Sequence, residues 1–347
     1  MQFRAGGDEL GTQRVVSPRG LLPQAADVLD SALPPWSSEV VIEVACLNID
    51  AASFVQLEAT GEPVAAQVGA IVGRAGKMHN PVTGSGGMLL GKVVAVGPDY
   101  RGPLQGCAPG TRVATLVSLT LTPLRLERIR AVRAHAHQVE VDGVAFLPSS
   151  APIAVLPDDL PDELTLAVLD VAGAPALVDR LLVEQPELKT LAFIGAGKAG
   201  VLAMAAARRR RPDLHLLALD RSQVALDAVR TAGLADAVRA VDAANALEVR
   251  AAVHDWNSGR PADAVVNLAS LPGTEMGTVL ACRQRGTCLF FGMATSFPRV
   301  ALGAEGVGAD VELRIGNGYV TGHADFALAL VRAMPPVRAL LESRLRG

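Results

Sequence analysis

The sequence predicts an α/β protein: a doubly wound parallel sheet preceded by a small barrel-like β domain. Three observations carry the prediction. From Leu188 onward, strand-like and helix-like runs alternate, which implies a parallel sheet with helices on both faces. That region opens with a glycine turn set between an apolar run and a helix-favouring run. Before it, short runs rich in β-branched residues recur at turn-bounded intervals.

The apolar run Leu191 to Ile194 enters Gly195-Ala196-Gly197-Lys198-Ala199-Gly200. A helix, Val201 to Arg211, follows and Pro212 stops it; a second apolar run, Leu214 to Leu219, ends at Asp220. Gly195 suits the tight turn, Gly197 lets the backbone approach a pyrophosphate, and Gly200 lets the helix pack close to the sheet. The helix N-terminus offers free N–H groups to the phosphates. Asp220 stands twenty residues past Gly200, where a carboxylate accepts hydrogen bonds from an adenosine ribose and repels a 2′-phosphate. NAD is therefore the expected cofactor. Arg221 is suited to stack on adenine or to pair with a 2′-phosphate, so NADP stands as the alternative. Lys198, Ala199, Asn267, Ala269, Gly292 and Met293 complete the expected cofactor contacts.

At 347 residues the chain suits two domains, each able to bury its own core. Half the residues are hydrophobic but only 3% are aromatic, so the core is built mostly from Ala, Val and Leu. A net charge of −3 leaves no basic footprint and argues against nucleic acid as a partner. The run Arg208 to Arg211 reads as a solvated last helical turn, where cations favour the dipole. No apolar stretch is long enough to span a membrane, and MQFRAGGDELGTQR lacks the apolar core of a signal peptide. Cys46, Cys107, Cys282 and Cys288 form no C-x-x-C pair. Neither disulfides nor a structural zinc lobe is expected, and a reducing cytoplasm fits.

Taken in order, Gln24 to Leu29 is a short helical candidate and Glu39 to Cys46 a strand. Leu47 to Phe54 reads as a polar turn, Val64 to Val72 as a helix, and Lys77 to Gly87 as a glycine- and hydroxyl-rich loop. Met88 to Val96 and Arg112 to Leu119 are strands, and Pro157 to Pro161 a linker. A long helical candidate, Leu164 to Leu182, is interrupted by Gly173 and Pro175. Beyond Asp220, helices are expected at Ser222 to Thr231, Ala244 to Trp256 and Thr274 to Gln284, with Ser222 as an N-cap. Strands are expected at Ala237 to Val241, Ala262 to Ala269, Thr287 to Gly292 and Val311 to Ile315. Asp325 to Leu345 is helix, broken at Pro335-Pro336.

This arrangement resembles the medium-chain dehydrogenase/reductase superfamily over nearly the whole chain. EVVIEVACLNIDAASF is similar to the strand and turn that open that superfamily's active site. GSGGMLLGKVVAVG is similar to its Gly-His-Glu-x-x-Gly-x-Val strand, and PGTRV to its Gly-Asp-Arg-Val turn. The resemblance implies a GroES-like β-barrel domain at 1–160, a Rossmann domain at 161–314, and a segment at 315–347 that returns to the first domain. It also implies a homodimer. The zinc-binding pattern of the superfamily is missing. Its first catalytic cysteine falls on Ile49 or Asp50, its histidine on Gly87, and its second cysteine near Asp170 or Val171. No thiolate and imidazole set remains to hold zinc, so no zinc is expected and side chains must supply the base or electrophile.

A narrower resemblance rests on GTQRV from Gly11, GLLPQA from Gly20, LNIDAASF, HNPVTGSGGM and GAGKAG, in that order. These phrases resemble the L-erythro-3,5-diaminohexanoate dehydrogenase family of lysine fermentation. The resemblance implies NAD(P)-dependent oxidative deamination at C3, giving 5-amino-3-oxohexanoate and ammonia. Such chemistry needs a general base, because the ammonium must lose a proton before hydride leaves. Asp50 and Asp170 are the first candidates, since the alignment puts both near the missing metal, and each has a structural alternative as a turn or cap residue. His79 is the candidate proton shuttle. Asn48 is a candidate substrate contact, and Thr83, Ser85 and the backbone of Gly84, Gly86 and Gly87 are a candidate anion nest for the substrate carboxylate. Tyr319, in the turn Gly316-Asn317-Gly318-Tyr319, is a secondary candidate.

His135 and His137, read as one strand, would share a face but lack further ligands, and are taken as an exposed pair. Cys282 and Cys288 read as buried apolar fillers. Two rival functions remain: a zinc-independent quinone or enoyl reductase of the same superfamily, and a non-catalytic NAD-binding protein.

Overall fold

The computed structural model describes residues 1–116, 118–316 and 318–346. The chain divides into two units, Met1–Asp162 and Glu163–Gly347. In the first unit the elements are β1 (Val15–Ser17), β2 (Val28–Leu29), β3 (Glu39–Asn48), α1 (Ala51–Ala59), α2 (Val64–Ala75), β4 (Met88–Val96), β5 (Arg112–Thr115), β6 (Leu124–Arg133), β7 (Gln138–Pro148) and β8 (Ile153–Val155). Six strands form one antiparallel sheet in the order β6-β7-β3-β4-β5-β8. Val40, Ile42 and Val44 alternate along β3 and reach one core with Leu89, Val93, Val139 and Val141. Phe54 and Leu57 of α1 and Val68 and Val72 of α2 join the same cluster.

Three expectations change here. The segment Leu47 to Phe54 is not all turn: Asp50 caps α1, its carboxylate accepting the Ser53 N–H at 2.9 Å. Gln24 to Leu29 is not a helix but a turn running into β2. The Pro23 and Gln24 carbonyls accept from the Lys77 ammonium, at 2.9 and 3.4 Å, instead of from N–H groups four residues on. His135 and His137 lie at the β6–β7 connection, with His137 in the left-handed region at φ 53°, so they do not share a strand face. The ribbon β6–β7 itself carries Arg128, Arg130 and Arg133 opposite Asp142 and Glu140.

One ion pair anchors the N-terminal segment. Arg14 and Glu39 are both buried, 0% and 1% exposed. Arg14 Nη2 and Nε reach the two Glu39 oxygens at 2.6 and 2.8 Å, and Nη1 donates to the carbonyls of Asp30 and Ala32. The guanidinium lies 4.1 Å from the Phe146 ring centroid. Gln13 and the Trp36 N–H complete the carboxylate. The GTQRV phrase thus has a structural role.

The second unit holds α3 (Asp162–Leu169), α4 (Gly173–Glu184), β9 (Thr190–Ile194), α5 (Lys198–Arg210), β10 (His215–Asp220), α6 (Gln223–Thr231), β11 (Ala237–Ala240), α7 (Ala246–Trp256), β12 (Ala262–Asn267), α8 (Glu275–Ala281), β13 (Cys282–Phe290), α9 (Phe297–Gly306), β14 (Glu312–Ile315), α10 (His323–Ala333) and α11 (Pro335–Arg346). Its sheet is parallel throughout, in the order β11-β10-β9-β12-β13-β14. The order reverses between β9 and β12, the place where open α/β sheets bind ligands. Cys282 and Cys288 are buried in this core, as expected. Here α10 packs on α4 and α5, and α11 on α5, and Val331, Val337 and Leu341 are buried. Among the described residues no helix is long and apolar enough to cross a membrane.

Removing one partner of a buried, fully hydrogen-bonded pair leaves a charge without compensation. Arg14→Met should therefore lower unfolding free energy by about 3–5 kcal/mol in urea titration. A loss below about 1 kcal/mol would assign the pair no such weight.

Candidate active site

The glycine turn begins where β9 ends between β10 and β12. The Gly195 N–H donates to the Leu219 carbonyl at 2.8 Å, and Gly195 adopts φ 108°, which only glycine takes readily. A Cβ on Gly200 would collide with the Gly195 carbonyl oxygen, so glycine there lets α5 meet the turn. No atom lies within 4 Å of where a Gly197 side chain would begin, leaving its backbone open to a phosphate. Gly197 is the N-cap of α5. A cavity of about 330 Å³ opens here, lined by Gly195, Gly197, Asp220, Arg221, Asp242 and Ala269 among others. The residues present fit a dinucleotide: an open glycine backbone at a helix N-terminus, then an acid at the next strand end.

Asp220 does more than await a ribose. Its Oδ2 accepts the Ala196 N–H at 2.7 Å and its Oδ1 the Ser222 N–H at 2.8 Å. Asn267, expected at the cofactor, is 1% exposed. Its amide donates to the Thr274 and Thr278 hydroxyls at 2.9 and 2.8 Å, and its oxygen accepts the Ala269 N–H. It shapes the Ala269 ledge from beneath instead of presenting a free amide. A Cβ on Gly292 would meet the Ala269 carbonyl, while the Met293 side chain is 93% exposed. Lys198 does not stand free: its ammonium donates to Asp170 Oδ2 at 3.0 Å, joining an expected cofactor contact to a candidate base. Ala199 lies in the first turn of α5. The Tyr319 ring is edge-on to His323 at 5.1 Å, and Asn317 lies outside the described residues.

In the first unit the loop before β4 folds onto the start of α1. Asp50 Oδ2 accepts the Ser85 hydroxyl at 2.6 Å. The Ser53 hydroxyl lies 2.9 Å from that of Ser85 and 2.5 Å from that of Thr83. The result is a chain of hydroxyls, Thr83–Ser53–Ser85, ending on a carboxylate. Thr83 is exposed, Ser53 is wholly buried, and Ser85 and Asp50 are half-buried, so the chain starts at the surface and passes through one buried hydroxyl. Asn80, also buried, holds the loop: its amide donates to Gln56 and its oxygen accepts the N–H groups of Val82 and Thr83. The expected anion nest is partly spent on this folding. The Gly84 N–H already donates to the Asn80 carbonyl, and Gly86 is buried against the Met78 carbonyl. Gly87, at φ 96°, allows the loop to pass the Asn48 carbonyl. Asn48 accepts from Gln138 at 3.3 Å. Sequence reasoning missed Ser53, Asn80 and Gln56. The D-x-x-S spacing of Asp50 and Ser53 signals a helix cap, but nothing local pairs Ser53 with a loop thirty residues on.

His79 is half-buried and lines a different cavity, about 620 Å³, with Gln24, Asp27, Arg74 and Pro81. No hydrogen bond among the described residues satisfies its buried Nδ1. Burial, and then the Lys77 charge, hold its pKa below the ordinary value. The Cys46 thiol is pushed up to about 11 by burial. Among the described residues no group of three or more His, Cys, Asp or Glu is placed to hold a metal ion.

The fold, an antiparallel β unit followed by a parallel sheet with a glycine turn, is shared with solved quinone oxidoreductases and alcohol dehydrogenases. The solved Escherichia coli quinone oxidoreductase complexed with NADPH superposes with a TM-score of 0.55 at 17% identity, covering 92% of this chain and 89% of that one. Residues 13–157 match the family model of the L-erythro-3,5-diaminohexanoate dehydrogenase N-terminal domain. The L-erythro-3,5-diaminohexanoate dehydrogenase of Acetoanaerobium sticklandii is 40% identical over 97% of this chain and 98% of its own. That of Fusobacterium nucleatum is 41% identical over 96% of this chain and 97% of its own. The chain belongs to the L-erythro-3,5-diaminohexanoate dehydrogenase family.

Lys77 gives the first unit a measurable pH dependence. It is 1% exposed, and burial pulls its ammonium down from 10.5 to about 8, with Asp27 opposing. Between those values the unfolded chain binds more protons than the folded one, so stability rises with pH. In Lys77→Met, the rise in unfolding free energy between pH 8 and 10.5 should be smaller than in the parent. Parallel pH profiles for the two proteins would show that Lys77 titrates normally.

Proposed function

We propose that this protein oxidises L-erythro-3,5-diaminohexanoate at C3, giving 5-amino-3-oxohexanoate and ammonia. The observation that carries the reading is identity of 40% and 41%, across nearly the whole chain, to two dehydrogenases named for that substrate. In balance, the substrate, NAD(P)⁺ and water give the ketone, ammonium, NAD(P)H and one proton. The dinucleotide, when bound, supplies the hydride acceptor. The negative charge of Asp220 supports NAD over NADP, with Arg221 as the residue that would favour NADP.

The chain's own residues handle protons and charge. The C3 ammonium must lose a proton so that the nitrogen lone pair can assist departure of the hydride. In this reading Asp50 receives it through Thr83, Ser53 and Ser85, each hydroxyl accepting from the outer side and donating inward. The 2.6 Å bond from Ser85 to Asp50 supports that direction. Water then adds to the iminium carbon, and ammonia leaves as the carbinolamine collapses. The pairing of Asp170 with Lys198 supports a role in holding Lys198 beside the glycine turn over a role as the base. Asn48 and Tyr319 stand as substrate contacts, Gly84 and Gly86 being engaged in holding the loop, and His79 as the reserve proton carrier. A zinc-free, homodimeric, cytoplasmic enzyme belongs to the same reading.

Purified protein mixed with NAD and the diamino acid should produce NADH and ammonia in equal amounts. The rate should survive exhaustive chelation and should be slower with NADP. Chelator inactivation reversed by zinc would overturn the metal-free reading. Reduction of quinones without any deamination would favour the reductase rival.

Asp50→Asn keeps the helix cap, since Asn caps as well as Asp, and removes the base. Turnover should fall on the order of a hundredfold while the NAD Kd stays put. Near-parental turnover in Asp50→Asn would transfer the role to Asp170 or His79, tested next by their own Asn variants.

A further inference from the structure

The C-terminal helix α11 reaches the cofactor turn. α11 packs on α5 and α10, and its Val337 and Leu341 are buried. Arg344, seven and three residues further on, lies on that same helical face. Its Nη2 donates to the Ala196 carbonyl at 2.9 Å. Ala196 is itself wholly buried, with its N–H given to Asp220 Oδ2 at 2.7 Å. The middle of the glycine turn is therefore held twice: by an acid through its N–H, and by a guanidinium from the far end of the chain through its carbonyl.

This clamp sets a direction. The peptide joining Ala196 to Gly197 is not among the cis bonds of the chain. In a planar trans peptide, the C=O and the next N–H point opposite ways. With the Ala196 carbonyl turned to Arg344, the Gly197 N–H is turned away from it. Gly197 lines the cofactor cavity and is the N-cap of α5.

We propose that Arg344 is a positioning residue for the dinucleotide: it holds the Ala196 carbonyl so that the Gly197 N–H is aimed at the pyrophosphate. The inference rests on the reading that this turn binds a nicotinamide dinucleotide. It assigns the C-terminal helix a part in cofactor affinity without contact to the reacting atoms.

The test is calorimetric titration of the full-length protein with NAD, ADP and adenosine. In Arg344→Gln, the Kd for NAD and for ADP should rise on the order of tenfold, the scale of one lost charge-assisted hydrogen bond. The adenosine Kd should stay at the parental value, because adenosine lacks the diphosphate that the Gly197 N–H serves. Arg344→Lys, which keeps the charge with a single donor end, should recover part of the ADP affinity. Unchanged ADP binding in Arg344→Gln overturns the proposal, as does an equal loss for adenosine and ADP, which marks general collapse of the site. Should the Gln variant not fold, Arg344→Lys is read alone: a raised ADP Kd with adenosine unmoved supports the proposal, and unchanged ADP binding overturns it. Parent protein that binds neither NAD nor ADP sinks the cofactor reading and this inference with it.

Discussion

The second unit depends on the carboxylate of Asp220. Its two oxygens take one N–H from the turn after β9 and one from the turn after β10. The ends of two adjacent parallel strands are thereby tied into a single rim. Without the tie, the turn from Gly195 to Gly200 would keep the Gly195–Leu219 and Arg344–Ala196 bonds but lose the partner of the Ala196 N–H, in a stretch whose glycines leave the backbone mobile. An ionised carboxylate keeps further acceptor capacity after two such bonds, so holding the rim and receiving ribose hydroxyls are compatible tasks. The same acid shapes the site and gives it its charge.

Asp50 is used in a similar way in the first unit. One oxygen caps α1, and the other receives Ser85. Here a carboxylate terminates a line of hydroxyls, which is suited to moving protons and poorly suited to holding a soft cation. Asn80 makes that line possible. From its buried position it closes the loop from 80 to 85 and brings Thr83 and Ser85 onto Ser53.

The parallel sheet was legible because buried parallel strands are apolar runs, and the helices between them end at glycine, proline or capping residues. The strand β3 was legible for the same reason. The strand β6, LRLERIRAVR, was not. Its arginines look like surface helix or loop until the acids of β7 lie opposite, and only pairing across the sheet supplies them. The segment from Gln24 to Leu29 misled in the other direction, since helix propensity lost to a lysine fifty residues away that captures its carbonyls.

By itself the sequence determined the class of the protein, because the glycine turn is a local device: three glycines and one acid at fixed spacing suffice to build it. The family phrases were equally local. The tertiary structure decided which candidates meet. It paired Asp170 with Lys198, buried Asn267 under Ala269, parted His79 from the hydroxyl chain, and brought Arg344 to Ala196. Those relations join residues from about thirty to nearly one hundred and fifty positions apart, or hide a side chain beneath its own turn. The physical reason is that a side chain's chemistry is set by the groups within a few ångströms, and which groups those are depends on how the core closes, not on neighbours along the chain.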